Sequence, residues 1–307
     1  MPPPTPFRPA LLVIDMQNDF CPGDGDIPPG ALPVPGGRDI IPAINGLLAR
    51  PAFVYRVATR DWHPRGHVSF AENHEGKKAF TDSVTITHPE DVGKGGGDSG
   101  KDAPNPTRRA YTTRLWPTHC VQHTWGAELV AGLNLSASSA VDNANEEGRG
   151  NAPAVDLIPA KGVDLDLVPA KGVDLDLVSA KGVDLILDKG TDPRVEMYSA
   201  FYDPLKVEDS GLARRLKEVE IKGEKGVEQK GEKGITHVYV VGLAYDYCVR
   251  ATALDASAEG FDVVLVRDAT RAVDPAPDKL AALEKELEGK GVRVRGLEDE
   301  EVRGWLG

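Results

Sequence analysis

Three residues of this 307-residue chain combine types that could cleave an acyl bond: Cys248, Asp15 and Lys189. Cys248 lies in the first turn of a predicted helix that opens near Asp246, where unpaired N–H groups and the helix dipole favour a thiolate. Asp15 ends an apolar strand, so partial desolvation suits it to accept the thiol proton. An ammonium at Lys189 would stabilise both anions. Together these residues predict a nucleophilic cysteine with a base and a cation.

Each of these residues also has a plain structural interpretation. A free cysteine is often a small apolar filler, an Asp after a strand often caps a turn, and a lysine is usually solvated. Cys21 and Cys120 lack a setting between strand and helix, and we interpret both as packing residues. Lys171 and Lys181 stand in sequence surroundings very similar to those of Lys189. Of the three candidate residues, Lys189 is therefore the one that its local sequence separates least clearly from similar residues elsewhere in the chain.

A second group of residues has the types and spacing of metal ligands. Asp61 and His63 flank one residue, so an extended backbone directs both side chains the same way. With His119 in LWPTHC, they would supply one carboxylate and two imidazoles and leave positions open for water. We predict one divalent ion, zinc first, with iron and manganese as alternatives. His67 is either a further ligand or a neighbour that orients one, and a capped turn with stacked histidines also fits DWHPRGH.

The elements that must position these residues alternate between strands and helices. ALLVID (Ala10 to Asp15) is apolar on both faces, as is typical of a buried parallel strand. Further strands are predicted in AFVYRVATRD, VDLILDKG, THVYVVGLA, DVVLVRD and VRVRG, and helices in RDIIPAINGLLAR, SGLARRLKEV, DYCVRATALDASAEG and KLAALEKELEGKG. This alternation predicts an α/β fold of three layers, a parallel sheet flanked by helices on both faces. The candidate residues then meet at the carboxyl edge of the sheet.

Three low-complexity stretches interrupt this alternation. We predict a single domain over residues 1–307 with insertions at about 91–109, 136–182 and 222–234. The second stretch contains a ten-residue tandem repeat, IPAKGVDLDL, VPAKGVDLDL and VSAKGVDLIL. Three copies of so short a unit cannot close a core of their own, so duplication by slippage is the simplest interpretation.

The repeat raises a question of register, because each copy could form the strand before the lysine. Copies one and two carry Asp166 and Asp176 where copy three carries Ile186. A central parallel strand is buried on both faces, where an unpaired carboxylate is costly. We therefore predict that copy three forms the strand, over Val183–Gly190.

Composition limits the classes of function. The chain has 36 Lys and Arg against 48 Asp and Glu, a formal net charge of −12, which argues against a basic nucleic-acid interface. No run of eighteen apolar residues predicts a membrane span, no signal peptide is evident, and three cysteines cannot form a disulfide framework. We expect a cytoplasmic protein, with access to the nucleus left open, that acts on a small molecule. A homo-oligomer is compatible with the sequence.

Five motifs together resemble the nicotinamidase branch of the isochorismatase-like cysteine hydrolases. They are LLVIDMQNDFCPGDGDIP, TRDWHPRGHVSF, LWPTHCVQHTWGAEL, DKGTDPRVEMYSAF and VVGLAYDYCVRATALDA, in the family's order between about Ala10 and Asp274. The resemblance implies hydrolysis of nicotinamide by Cys248, Asp15 and Lys189 beside a bound divalent metal. About seventy residues separate the His119 motif from Lys189, where the family usually has a short link.

The resemblance also implies features of the substrate site. Phe20 and Trp116 would line the ring pocket, Leu243 and Ala244 would join by a cis peptide beside the substrate, and Ser69 would lie near a metal-bound water. Backbone N–H groups of Ala244 and Cys248 would hold the oxyanion. Two alternatives stay open: a metal-free relative that acts on isochorismate, ureidoacrylate or a carbamoyl amide, and a non-catalytic protein whose repeats dock a partner.

Overall fold

A computed structural model describes residues 2–92, 109–135, 182–219 and 234–307. The strands are β1 (Pro9–Ile14), β2 (Tyr55–Asp61), β3 (Ser83–Thr87), β4 (Ala110–Arg114), β5 (Leu185–Lys189), β6 (His237–Leu243), β7 (Asp262–Arg271) and β8 (Val292–Arg295). The α-helices are α1 (Ile41–Leu48), α2 (Leu212–Glu218), α3 (Arg250–Ala258) and α4 (Pro277–Gly289). The predicted strands and helices thus recur within a few residues of their expected bounds.

Six strands form one parallel sheet in the order β5-β2-β1-β6-β7-β8. From β1 the chain builds outward through β2 to β5, then returns to the other side of β1 and adds β6, β7 and β8. The strand order therefore reverses between β1 and β6, and a crevice opens at the carboxyl ends of strands at such a reversal.

Both faces of the sheet are covered, which explains why the central strands have no polar face. On one face, Leu11 and Val13 of β1 pack in a cluster that includes α1 and the C-terminal segment. On the other face, Leu12 and Ile14 pack in a cluster that includes α2, α3 and α4. Each fully buried Leu or Ile side chain contributes about 2 kcal/mol relative to an exposed one. The predicted three-layer α/β fold is confirmed.

The third repeat copy forms β5, as predicted, but the burial argument for that choice was wrong. β5 is an edge strand of the described sheet, and Ile186 is 45% exposed. An Asp at this place, as at residues 166 and 176, would meet solvent, so desolvation does not select the copy. Copies one and two lie outside the described residues.

Residues just after the repeat distinguish the third copy from the other two. Arg60 of β2 donates to both carboxylate oxygens of Asp188, at 2.7 and 2.9 Å, and Lys189 ends the strand at the sheet edge. In copies two and one, the places of these two residues are taken by Val178 and Ser179 and by Val168 and Pro169. Only the third copy therefore combines the ion pair to β2 with a lysine at the strand end.

The antiparallel pair β3 and β4 was not predicted. Tyr111 of β4 donates from its hydroxyl to the carbonyl of Glu196 at 2.9 Å and accepts from the N–H of the same residue at 2.8 Å. The hydroxyls of Thr113 and Tyr198 lie 2.9 Å apart, and Trp116 Nε1 donates to Tyr198 Oη at 2.8 Å. The pair thus fixes the segment 196–198 beside the carboxyl edge of the sheet.

Most of each predicted insertion, residues 93–108, 136–181 and 222–233, lies outside the described residues, so the division of the chain stays a prediction. Among the residues that are described, no helix has the length and apolar character needed to span a membrane.

Candidate active site

The carboxyl edge of the sheet gathers the predicted catalytic residues. Asp15 directly follows β1 in a left-handed conformation with a φ of 46°. Asp61 and Lys189 are the last residues of β2 and β5. A π-helical turn, Tyr245–Val249, follows β6 and carries Cys248. Four strands thus each deliver one chemically active side chain to the same edge.

Gly242 allows β6 to approach β1 closely at this edge. Its φ is 108°, and a Cβ atom at this position would lie 2.1 Å from the carbonyl oxygen of Ile14. The pairing of β6 with β7 shifts register between Val240 and Gly242. Any side chain here would push the end of β6, and with it the turn that carries Cys248, away from Asp15.

Lys189 is fully buried and lies between the anionic groups. Its Nζ is 3.0 Å from Asp15 Oδ2 and 3.6 Å from Cys248 Sγ, and it donates to the carbonyl of Met197 at 3.2 Å. It also forms an ion pair with Asp61 Oδ1. One carboxylate oxygen of Asp15, one of Asp61 and the sulfur of Cys248 lie within 4.8 Å of one another. The lysine cation therefore links the other two predicted catalytic residues, Asp15 and Cys248, to one of the predicted metal ligands, Asp61.

Burial sets the protonation states of the acid and the thiol. It raises the pKa of Asp15 to about 6, although Lys189 acts in the opposite direction. Burial also raises the pKa of Cys248 well above that of a free thiol, more strongly than Lys189 lowers it. The expectation that a helix start would favour the thiolate was therefore wrong, because Cys248 lies in a π-helical turn and is only 5% exposed. At neutral pH a protonated thiol faces an ionised carboxylate.

The predicted metal ligands also meet. Nε2 of His63 lies 3.5 Å from Asp61 Oδ2, and Nε2 of His119 lies 4.0 Å from the same oxygen. Nδ1 of His63 is 2.8 Å from the carbonyl oxygen of Gly190, and Nδ1 of His119 is 2.7 Å from that of Pro117. Because a carbonyl oxygen can only accept, each Nδ1 carries a proton, which leaves Nε2 as the atom that each ring can offer to a metal. Both rings therefore offer Nε2 toward the Asp61 carboxylate.

His67 lies behind this set and stacks on His63, with ring centroids 4.0 Å apart. Its Nδ1 is 2.8 Å from the hydroxyl of Ser69, so the serine contacts this second imidazole. Burial lowers the pKa of His67 to about 2 and that of His119 to about 4, so both rings are neutral. Within the described residues, His67 groups with His63 and Glu196 and not with the other two predicted ligands.

A pocket opens beside Cys248, with aromatic rings along its wall. It is lined by Phe20, Leu32, Val34, Asp61, Trp116, His119, Glu196, Tyr198, Ala244, Tyr247, Cys248 and Val273. Three of the four residues expected beside the substrate are among these, and the peptide before Ala244 is cis, as the resemblance implied. Leu243 is not: strand alternation turns its side chain into the core on the α1 face, where it is fully buried.

Sequence reasoning missed Glu196, Tyr198 and Gln17. Glu196 and Tyr198 line the pocket from the loop after β5, where no periodicity marks them, and their only signal was their place in DKGTDPRVEMYSAF. Burial raises the pKa of Glu196, which is 2% exposed. Gln17 accepts from the N–H of Asp61 and donates to its carbonyl, both at 2.8 Å. It therefore fixes the backbone of a predicted metal ligand.

Known proteins resemble this chain over most of its length. The profile of the Isochorismatase domain matches residues 196–298. A nicotinamidase of Acinetobacter baylyi is 33% identical over 265 residues, which cover 86% of this chain and 82% of that protein. This degree of identity over nearly the whole of both sequences indicates common descent.

Solved structures give the same result for the fold. The yeast nicotinamidase bound to the inhibitor nicotinaldehyde is 27% identical, covers 94% of this chain and 99% of its own, and has a TM-score of 0.62. The pyrazinamidase of Pyrococcus horikoshii in complex with zinc is 28% identical, covers 94% and 99%, and has a TM-score of 0.51. The chain belongs to the nicotinamidase family of isochorismatase-like hydrolases.

Proposed function

We propose that this protein hydrolyses nicotinamide to nicotinate and ammonia through a thioester on Cys248. The observation that carries the proposal is the meeting of Cys248, Asp15 and Lys189 with three metal-type ligands beside one aromatic pocket. A buried thiol, its base and a cation suit acyl transfer. The relatives described above are nicotinamidases and a pyrazinamidase, enzymes that act on planar aromatic amides.

The residues present fit a divalent metal. Nε2 of His63 is buried and has no hydrogen-bond partner within the described structure, although it lies only 3.5 Å from Asp61 Oδ2. A metal bound by Asp61, His63 and His119 would satisfy this atom, and we propose zinc, as in the related pyrazinamidase complex. When bound, the ion would supply a Lewis acid at the wall of the pocket, to which Asp61 and His119 belong.

The first half of the reaction forms the thioester. Asp15 accepts the proton of the Cys248 thiol as the sulfur attacks the amide carbon, so no free thiolate need form beforehand. Lys189 stays charged between the two groups and stabilises the negative charge that passes from carboxylate to sulfur and substrate. Backbone N–H groups of Ala244 and Cys248 hold the oxyanion, a contribution of roughly 3 kcal/mol for each donor. Asp15 then donates its proton to the departing ammonia.

The second half consumes one water molecule. Asp15, ionised again, accepts a proton from water as the water oxygen attacks the thioester carbon, and the sulfur leaves and recovers a proton to restore the thiol. The products are nicotinate and the free enzyme. The rings of Phe20, Trp116 and Tyr247 wall the pocket and hold a flat substrate against the cysteine.

Ammonia release from nicotinamide, measured with and without a chelator, tests the proposal. We expect turnover that the chelator abolishes and added Zn²⁺ restores. Turnover that is unaffected by complete removal of metal would favour a metal-free relative within the superfamily. Absence of ammonia from a panel of aromatic and carbamoyl amides would favour a non-catalytic role. The cytoplasmic location and the oligomeric state stay predictions from the sequence.

A further inference from the structure

Residues outside the pocket hold the ring of His63 in place. Gly190 has a φ of 65°, and a Cβ atom there would lie 2.4 Å from His63 Cε1, so only glycine leaves room for the ring. The carbonyl of the same glycine accepts from His63 Nδ1 at 2.8 Å. The direction of this carbonyl therefore decides where His63 Nε2 points.

The other side of the same peptide unit meets a carboxylate. The N–H of Thr191 donates to Glu208 Oε1 at 2.9 Å, and the Thr191 hydroxyl donates to the same oxygen at 2.7 Å. The N–H of Asp192 donates to Glu208 Oε2 at 3.3 Å. In a trans peptide the C=O and the following N–H belong to one rigid plane and point in opposite directions. One planar unit thus joins the imidazole on one side to the carboxylate on the other.

Glu208 is itself held by a buried residue. Asp203, which is fully buried, accepts from the N–H of Glu208 at 2.7 Å and from the N–H groups of Leu205 and Val207. The N–H of Asp203 donates in return to the carbonyl of Glu208 at 3.0 Å. Because Asp203 fixes the backbone of Glu208, the Glu208 carboxylate can in turn fix the segment of Thr191 and Asp192.

We propose that Glu208 is a positioning residue for the metal site and acts on His63 through the peptide between Gly190 and Thr191. Histidine ligands commonly donate their second ring N–H to a carboxylate or a carbonyl, which orients the ring and increases its basicity. Here the Glu208 carboxylate polarises the peptide between Gly190 and Thr191. The polarised carbonyl of Gly190 in turn accepts from His63 Nδ1 and orients the ring. The inference rests on the metal site of the proposed function.

The test measures Zn²⁺ affinity by competition with a chromogenic chelator. We expect Glu208→Ala to weaken Zn²⁺ binding by about 10-fold, within the range for partners of metal ligands. Glu208→Gln should recover part of the loss, because its amide oxygen can still accept from Thr191. At saturating Zn²⁺, kcat of Glu208→Ala should return to near the parent value. Glu218→Ala, an exposed glutamate on α2, is the matched control and should leave the affinity unchanged.

Thr191→Val separates the peptide contact from general anchoring of the loop. It removes the hydroxyl but keeps the backbone N–H, so we expect Zn²⁺ affinity close to that of the parent. Parent affinity in Glu208→Ala, or equal losses in Thr191→Val and Glu208→Ala, would overturn the inference. His63→Ala distinguishes a failure of the metal site from a failure of the role of Glu208. If His63→Ala binds Zn²⁺ like the parent, the metal site itself is wrong. If His63→Ala loses Zn²⁺ while Glu208→Ala binds it normally, only the role of Glu208 is refuted.

Discussion

At the scale of single residues, burial decides what each group of the site does. Burial keeps the Cys248 thiol protonated near neutral pH. Burial also raises the pKa of Asp15, but Lys189 opposes this effect, and the resulting value of about 6 leaves the carboxylate ionised at pH 7. The identities of these residues could be read from the sequence, because each follows an apolar strand or begins a helical segment. Their protonation states could not, because those depend on neighbours brought in from other strands.

Cys248→Ala should abolish turnover, by about 10⁴-fold or more, because no other group at the site can form the thioester. The side chain is buried, but replacing its SH group by hydrogen leaves only a small cavity, so the variant should stay folded. Ammonia release and circular dichroism check both points. Cys120→Ala is the control, and we expect it to act through stability alone. Full activity in folded Cys248→Ala, or none in folded Cys120→Ala, would show that the nucleophile is misassigned.

Lys189→Ala should lower kcat by about 100-fold or more, since it removes the cation that stabilises the negative charge of the reaction. It also leaves two buried carboxylates without their partner, so the free energy of unfolding should fall by about 3 kcal/mol or more. Chemical denaturation and steady-state kinetics measure the two effects. Lys171→Ala and Lys181→Ala should keep parent values. An inactive Lys181→Ala enzyme would indicate that another repeat copy provides the strand.

His63→Ala and His119→Ala should each lower the bound metal and the activity together, because each removes one of three ligands. Metal content of the purified protein, measured beside ammonia release, checks this expectation. His237→Ala is the control. This residue begins β6, at the amino ends of the strands, and its substitution should change neither the bound metal nor the activity. If both His63→Ala and His119→Ala bound as much metal as the parent, the proposed metal site would be wrong.

At the scale of elements, the sequence predicts the strands that are buried on both faces of the sheet and misses the antiparallel pair β3 and β4. β1 and β6 are largely apolar because helices cover both sides of the sheet. β3 and β4 were missed because SVTIT and AYTTR are largely polar and partly exposed, and their paired residues lie 23 or more positions apart in the sequence. The sequence did not predict that β5 is an edge strand. A five-residue strand can show the same apolar pattern at the edge of a sheet as in its centre.

Ile186→Asp should leave both activity and stability almost unchanged, because the side chain it replaces is 45% exposed on the edge strand. We expect a change of no more than about 0.5 kcal/mol in the free energy of unfolding, as for most surface substitutions. The change also makes copy three match the other two copies at this position. A loss of several kcal/mol in chemical denaturation would show that Ile186 is buried after all.

At the scale of the whole molecule, the site joins two halves of the sheet. Asp61 and Lys189 come from the side of β2 and β5, whereas Cys248 follows β6 on the other side of β1. Neither half holds a complete catalytic set, so activity requires the intact sheet. Activity therefore depends on the stability of the whole sheet. This includes residues at the amino ends of the strands, which lie farthest from the active site.

His237, the first residue of β6, should make that stability depend on pH. It packs edge-on against Phe7, with Asp262, Arg293 and Glu301 as its charged neighbours, and burial lowers its pKa while Asp262 opposes the effect. The folded state then binds the proton less well than the unfolded chain, whose histidine has a pKa near 6.5. The stabilising contribution is complete above that value and is lost as the pH falls through the lower folded pKa.

We therefore expect the free energy of unfolding to fall between pH 7 and pH 5 by more in the parent than in His237→Gln, which cannot titrate. Urea denaturation at several pH values measures the two slopes, and His74→Gln at a partly exposed histidine is the control. Equal slopes in the parent and in His237→Gln would contradict the expectation.

The position of β5 at the edge of the sheet bears on how the protein avoids aggregation. An edge strand exposes backbone groups that can pair with another molecule, and charged residues in it oppose such pairing. Here Asp184 and Asp188 bracket the apolar stretch Leu185–Leu187. Copies one and two carry Asp166 and Asp176 inside the corresponding stretch, so the repeat adds negative charge wherever it adds this apolar sequence. Such charges oppose the self-association that a repeated apolar segment would otherwise favour.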